Sequence, residues 1–168
     1  MTQLCTPNYH LWTNKKQYAR FGKCVHKDSI LLLNEAFPKA LIKREHRKRF
    51  LPVKYGQSDT IDLNADNILG NFRTAGVLAV AVASIMGSHP VWICGMDGFT
   101  LHTKKTLIKK KQNQHCYGQG YTDDASWDKC IVKDKKVASN LDELADLVTI
   151  KIITPTVFHK YYDSLVIK

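Results

Sequence analysis

The stretch Gly70–Gly98, GNFRTAGVLAVAVASIMGSHPVWICGMDG, decides how this chain is read. Its opening residues are polar and end in Thr74, a residue type suited to cap a helix. From Thr74 to Met86 the side chains are almost all small and apolar, which predicts a helix buried over most of its surface. Gly87 marks a turn, and Val91–Cys94 has the length and composition of a short buried strand. That strand runs into Gly95, Met96, Asp97 and Gly98. A helix N-terminus with free N–H groups, and a Gly/Asp turn at the carboxyl end of a strand, are the parts from which α/β sheets build ligand sites.

Working outward, SILLLN (Ser29–Asn34) predicts a strand buried on both faces, as in a parallel sheet. Before it, Thr13 is placed to cap a short helix over Asn14–Phe21 that Gly22 closes. After it, Pro38 predicts the start of a basic helix reaching Phe50, with Leu41 and Ile42 inward. Leu51–Tyr55 and Thr60–Leu63 are weaker strands around a turn at Gly56–Asp59. Asn64–Asn71 reads as loop. On the C-terminal side, a helix resumes near Asp124 and breaks near Lys133–Lys136 before Leu141, Leu144 and Val148 continue it. TIKIIT (Thr149–Thr154) reads as the last strand, ended by Pro155 and followed by a short helix over Thr156–Tyr162. Strands alternating with helices predict a mostly parallel α/β sheet flanked by helices, Rossmann-like or glycosyltransferase-like. The opening residues MTQLCTPNYHLWTN show neither the buried strand nor the Gly-rich turn with which such folds commonly begin, so the chain reads as truncated at its N-terminus.

The 168 residues suit a single domain over 1–168, with a mobile basic loop around 99–123. Five cysteines without a C-x-x-C pair argue against a zinc ribbon or a redox motif. No signal-peptide layout opens the chain, so the expected location is cytoplasmic. The longest apolar run, Ala75–Met86, is too short to span a bilayer. A net charge of +10 is concentrated at Lys43–Arg49 and Lys104–Lys111. Such clusters attract phosphorylated ligands or other polyanions. Nucleic acid is disfavoured as a partner, because no aromatic residues interleave with the lysines. No GxGxxG or P-loop motif supports a dinucleotide or P-loop reading.

Three groups of residues carry candidate chemistry. Asn71, Arg73 and Thr74 surround the predicted helix start, where free N–H groups suit a phosphate or carboxylate. Simple capping explains the same residues. Gly95 and Asp97 lie at the strand end, where Asp97 suits a ligand hydroxyl, a metal or a plain turn. In QHCYGQG, His115 lies close to glycines and is the side chain best suited to accept a proton near neutral pH. Cys116 beside it points the other way in an extended segment. A metal site from His115, Cys116 and Asp123 or Asp124 matches no standard spacing, so no metal or cofactor is expected.

The order of these motifs resembles that of the bacterial sialyltransferases of glycosyltransferase family 42 and the uncharacterised relatives that share their nucleotide-binding domain. His10–Asn34 is similar to the family's Asn-then-helix segment with its basic turn and aliphatic strand. RTAGVLAVAVASIMG resembles its Thr/Ser-Gly-Val helix, VWICGMDGF its strand ending in Gly-x-Asp, and QHCYGQG its His-x-x-Gly loop. TIKIITPT resembles its last strand followed by proline. The resemblance implies a CMP-activated sugar as donor and His115 as the base on the acceptor hydroxyl. It also implies Asn14 against the nucleotide and Thr74 near the donor. The chain differs from the family in three places. It lacks the opening strand with its Asn-Gly-Pro-Ser-like turn. It has Trp92 and Phe99 where the family uses tyrosines to stabilise the departing phosphate. It has Ala75 where a hydroxyl residue is often found.

The sequence therefore points first to a domain that binds a nucleotide sugar or another phosphorylated small molecule, a glycosyltransferase of surface-polysaccharide synthesis if active. The alternative is a non-catalytic accessory domain for an anionic ligand or partner chain. A pyrophosphokinase-like transferase ranks third, with Asp97, Asp123 and Asp124 as its magnesium carboxylates. An uncovered sheet edge would favour pairing with a second copy as a homo-oligomer.

Overall fold

The computed structural model describes residues 6–64, 67–72, 74–101 and 127–164. Where the sequence reads as one domain, the backbone gathers into two compact units, Met1–Asn71 and Phe72–Lys168. Both mix helices with small, largely parallel sheets.

In the first unit, β1 (Tyr9–Trp12), β2 (Ile30–Asn34) and β3 (Phe50–Val53) form a parallel sheet with β2 in the middle. The aliphatic run behaves as its composition dictates. Leu31 and Leu33 point to one face and Leu32 to the other, and all three are buried. Each such burial stabilises the fold by about 1.5–3 kcal/mol. Helix α1 (Lys15–Phe21) lays Tyr18 on the Leu31/Leu33 face. The Tyr18 ring meets Phe37 edge-on at 5.3 Å and Trp12 at 5.5 Å. Its hydroxyl accepts the Lys43 N–H at 3.1 Å, which satisfies the polar end of a fully buried side chain. Gly22 lies so close that a Cβ there would stand 2.9 Å from the Tyr18 ring.

Several sequence expectations change in this unit. The opening residues do contain a strand: Tyr9–Trp12 is β1, which pairs only with β2 among the described residues. The helix cap is Asn14, whose side chain accepts the Gln17 N–H at 3.1 Å, and not Thr13. The basic segment after Pro38 is not an α-helix. It forms two short 3-10 turns, Lys39–Leu41 and Arg44–His46. Leu41 is exposed while Ile42 and His46 are buried, so no apolar stripe of helical period exists to hold a longer helix. His46 is fully buried, with Nε2 against the His26 carbonyl at 3.1 Å. A second small sheet joins β4 (Tyr55–Gly56), β5 (Asp62–Leu63) and β6 (Ile68–Leu69). β6 is parallel to β4 and antiparallel to β5. It falls within the segment that reads as loop.

The second unit carries the opening stretch of the sequence. Helix α2 (Ala75–Ile85) begins at Thr74, whose hydroxyl accepts the Val77 N–H at 3.3 Å. Val77, Leu78, Val80, Ala81 and Val82 are buried. Gly87 ends it with φ +85, a left-handed conformation that a side chain resists. β7 (Val91–Ile93) follows and pairs in parallel with β8 (Ile150–Ile152). Between them, α3 (Trp127–Ala145) is one continuous helix, not two segments with a break at Lys133–Lys136. Its buried face runs through Cys130, Asp134, Val137, Leu141 and Leu144, a spacing of four and three that never lapses. The final helix shrinks to a 3-10 turn, His159–Tyr161. Asp142 of α3 accepts from Lys160 at 2.6 Å and from the Tyr161 hydroxyl, which fastens that turn to the helix. These bonds hold the Asp142 carboxyl below its ordinary range.

Candidate functional site

The second unit contains a cavity of about 560 Å³, within the range of small-molecule sites. One wall is α2, where Gly76, Ala79 and Ala83 present little more than backbone. β7 supplies Val91, Trp92 and Ile93, and the residues after it, Cys94 to Phe99, supply the rest. Phe158 and Val137 of α3 complete the lining.

The cavity is polar at one end and apolar at the other. At the polar end, α2 begins. The N–H groups of Ala75 and Gly76, first in the helix, have no acceptor within it by α-helix geometry. Gly76 and Met96 are close, since a Cβ on Gly76 would lie 3.1 Å from the Met96 methyl. Ala83 lies about 10 Å further along the helix axis, at the rise of an α-helix. There the lining is Ala83, Val91 and Trp92.

The strand-end turn is built from both sides. Gly95 and Gly98 have φ +79 and +86, conformations that favour glycine. A Cβ on Gly98 would stand 2.2 Å from the Val157 side chain. The segment after β8 straps the turn down. Gly95 N–H donates to the Thr154 hydroxyl at 2.9 Å, and the Thr156 hydroxyl donates to the Met96 carbonyl at 2.7 Å. Val157 N–H donates to the Asp97 carbonyl at 2.9 Å. From α3, the buried Asp134 carboxylate accepts Phe99 N–H at 2.8 Å and Thr100 N–H at 2.9 Å. It also accepts the Thr100 hydroxyl at 2.6 Å. A buried carboxylate with three donors is paired without any cation.

Of the residues that the sequence nominates, Thr74, Gly95 and Asp97 come together around this cavity. Asp97 is exposed there. Asn14 and Asn71 belong to the first unit, where the Asn14 side chain caps α1. Arg73 and His115 lie outside the described residues, as do Cys116, Asp123 and Asp124. Trp92 and Phe99 both line the cavity, and each carries a lysine. Lys151 Nζ stands 5.0 Å from the Trp92 ring and is also paired with Asp163 at 2.8 Å. Lys133 Nζ stands 5.0 Å from the Phe99 ring. Sequence reasoning passed over Asp134, Lys133, Thr154 and Thr156. The Thr-Pro-Thr run after the last strand was the available signal for two of them.

Among the described residues, no group of three or more His, Cys, Asp or Glu side chains could hold a metal ion, and no helix is long and apolar enough to cross a membrane. No family model, curated protein or solved structure matches the chain.

Proposed function

We propose that the second unit is the donor-binding part of a glycosyltransferase-like, Rossmann-like protein, and that its cavity takes a nucleotide sugar of the CMP-sugar class. One observation carries this reading. The start of α2 and the Gly95–Gly98 turn, found side by side in the sequence pattern, open onto the same cavity. The phosphate would lie against the Ala75 and Gly76 N–H groups, where the helix dipole also favours negative charge. Asp97 would accept a hydroxyl of the donor, and the nucleobase would lie toward Trp92 at the apolar end. His115 would take the proton of the acceptor hydroxyl as it attacks the sugar carbon, while the nucleotide departs with its phosphate. The protein would then serve surface-polysaccharide synthesis.

The test is a thermal-shift series on the full chain. CMP or a CMP-sugar raises the melting temperature by binding the folded state. His115→Ala keeps that rise and loses sugar transfer and donor hydrolysis. No shift with any cytidine or uridine nucleotide would sink the reading.

A second reading is favoured by Trp92 and Phe99. Neither has a hydroxyl for a departing phosphate, which suits a domain that binds its ligand without turning it over. In that case the shift with CMP persists and no donor is consumed with His115 intact.

A further inference from the structure

We propose that Lys133 is the cation of this cavity, the group that sets its preference for a phosphate-bearing ligand over the bare nucleoside. The assignment rests on reading the cavity as a nucleotide-sugar site. Among the described residues, the lining contains no lysine, arginine or histidine, and its one carboxylate, Asp97, opposes an anion. A cation beside the lining would add to the helix N–H groups in holding a phosphate there. Among the described residues, two ammonium groups stand over the cavity's aromatic rings, at the same 5.0 Å distance, but they differ in what else they touch. Lys151 spends its charge on Asp163 at 2.8 Å. Lys133 has no carboxylate within ion-pair distance among the described residues. Its neighbour Asp134 faces inward and is filled by three donors from Phe99 and Thr100. Consecutive helix positions do not face each other, and that carboxylate makes no ion pair with it. Phe99 belongs to the turn at the polar end. Lys133 therefore lies on the side of the cavity where the phosphate is placed, and its half-buried stem and ring contact hold the ammonium there.

The experiment is calorimetric titration of the full chain with CMP and with cytidine at low ionic strength. Wild type binds CMP more tightly than cytidine. Lys133→Ala weakens CMP binding about tenfold and leaves cytidine binding unchanged. Lys133→Arg retains CMP binding, and Lys151→Ala leaves the ratio of CMP to cytidine affinity unchanged. Equal CMP affinity in wild type and Lys133→Ala overturns the assignment and leaves the cavity reading standing. Equal losses for CMP and cytidine in both Lys133→Ala and Lys133→Gln also overturn it, because the side chain then acts on shape and not on charge. Failure of wild type to bind either ligand overturns the cavity reading itself, and this assignment with it.

Discussion

The two units differ in how completely their interior polar groups are engaged. In the second unit, Asp134 and Thr156 are buried and fully engaged, and their partners are the backbone of the turn beside the cavity. In the first unit Tyr18 and Ser29 are engaged, but four buried polar atoms have no hydrogen-bond partner among the described residues: His10 Nδ1, Trp12 Nε1, Gln17 Oε1 and His46 Nδ1. A satisfied buried group fixes a local shape, because breaking it strands its partners. An orphaned one fixes nothing and lowers stability. The difference locates precision in the second unit, where a ligand would need it. The first unit is held by hydrocarbon and ring packing around β2.

The sharpest way to break this comparison is Asp134→Ala. It strands the Phe99 and Thr100 N–H groups, so urea unfolding should show a loss of about 2–3 kcal/mol. A loss below about 0.5 kcal/mol, within the range of an ordinary surface change, would mean that the turn stands without its clamp. A smaller effect is expected in the first unit on acidification. Burial and the nearby His46 ring hold the His10 pKa below its ordinary 6.5. The unfolded chain then takes up the proton first, so stability is level above pH 6.5 and falls as the pH drops below it. Urea midpoints across that window should decline in wild type and flatten in His10→Gln. Asp142 acts elsewhere on the scale, because its contribution is present above pH 3.8 and is lost only as the pH falls further. The smallest effect is expected from Gln17→Met, which removes an orphaned oxygen at nearly constant volume and helix propensity. Its stability should stay within about 0.5 kcal/mol of wild type or rise. A loss above about 1 kcal/mol would show that the oxygen has a partner after all.

Legibility in the sequence followed the same division between apolar and polar interiors. β2, α2 and β7 were readable because unbroken aliphatic runs have few other uses and glycines punctuate them. α3 reads as two segments because Asp134 and Asn140 sit on its buried face while lysines crowd positions 133, 135 and 136. A polar residue in a core position erases the apolar period without erasing the helix. The same error hid Lys133, which reads as part of a break and stands beside Phe99 in the fold. β1 was missed because four residues at a sheet edge carry little pattern, and β6 because two residues carry almost none. The Asp134 clamp was out of reach for a different reason. Its partners lie 34 and 35 positions away, and nothing local announces them.

The placement of the indoles gives the molecule its own optics. Trp12 is wedged between the His10 ring, stacked at 5.1 Å, and the edge of Tyr18. Trp92 is 46% exposed at the cavity, beneath a lysine. Of the three tryptophans, Trp12 reads the packing of the first unit, Trp92 would read the occupancy of the cavity, and Trp127, at the start of α3, is a third emitter in the second unit. With Trp127 replaced by Phe, the emission spectrum would separate a change in the core of the first unit from the arrival of a ligand in the second.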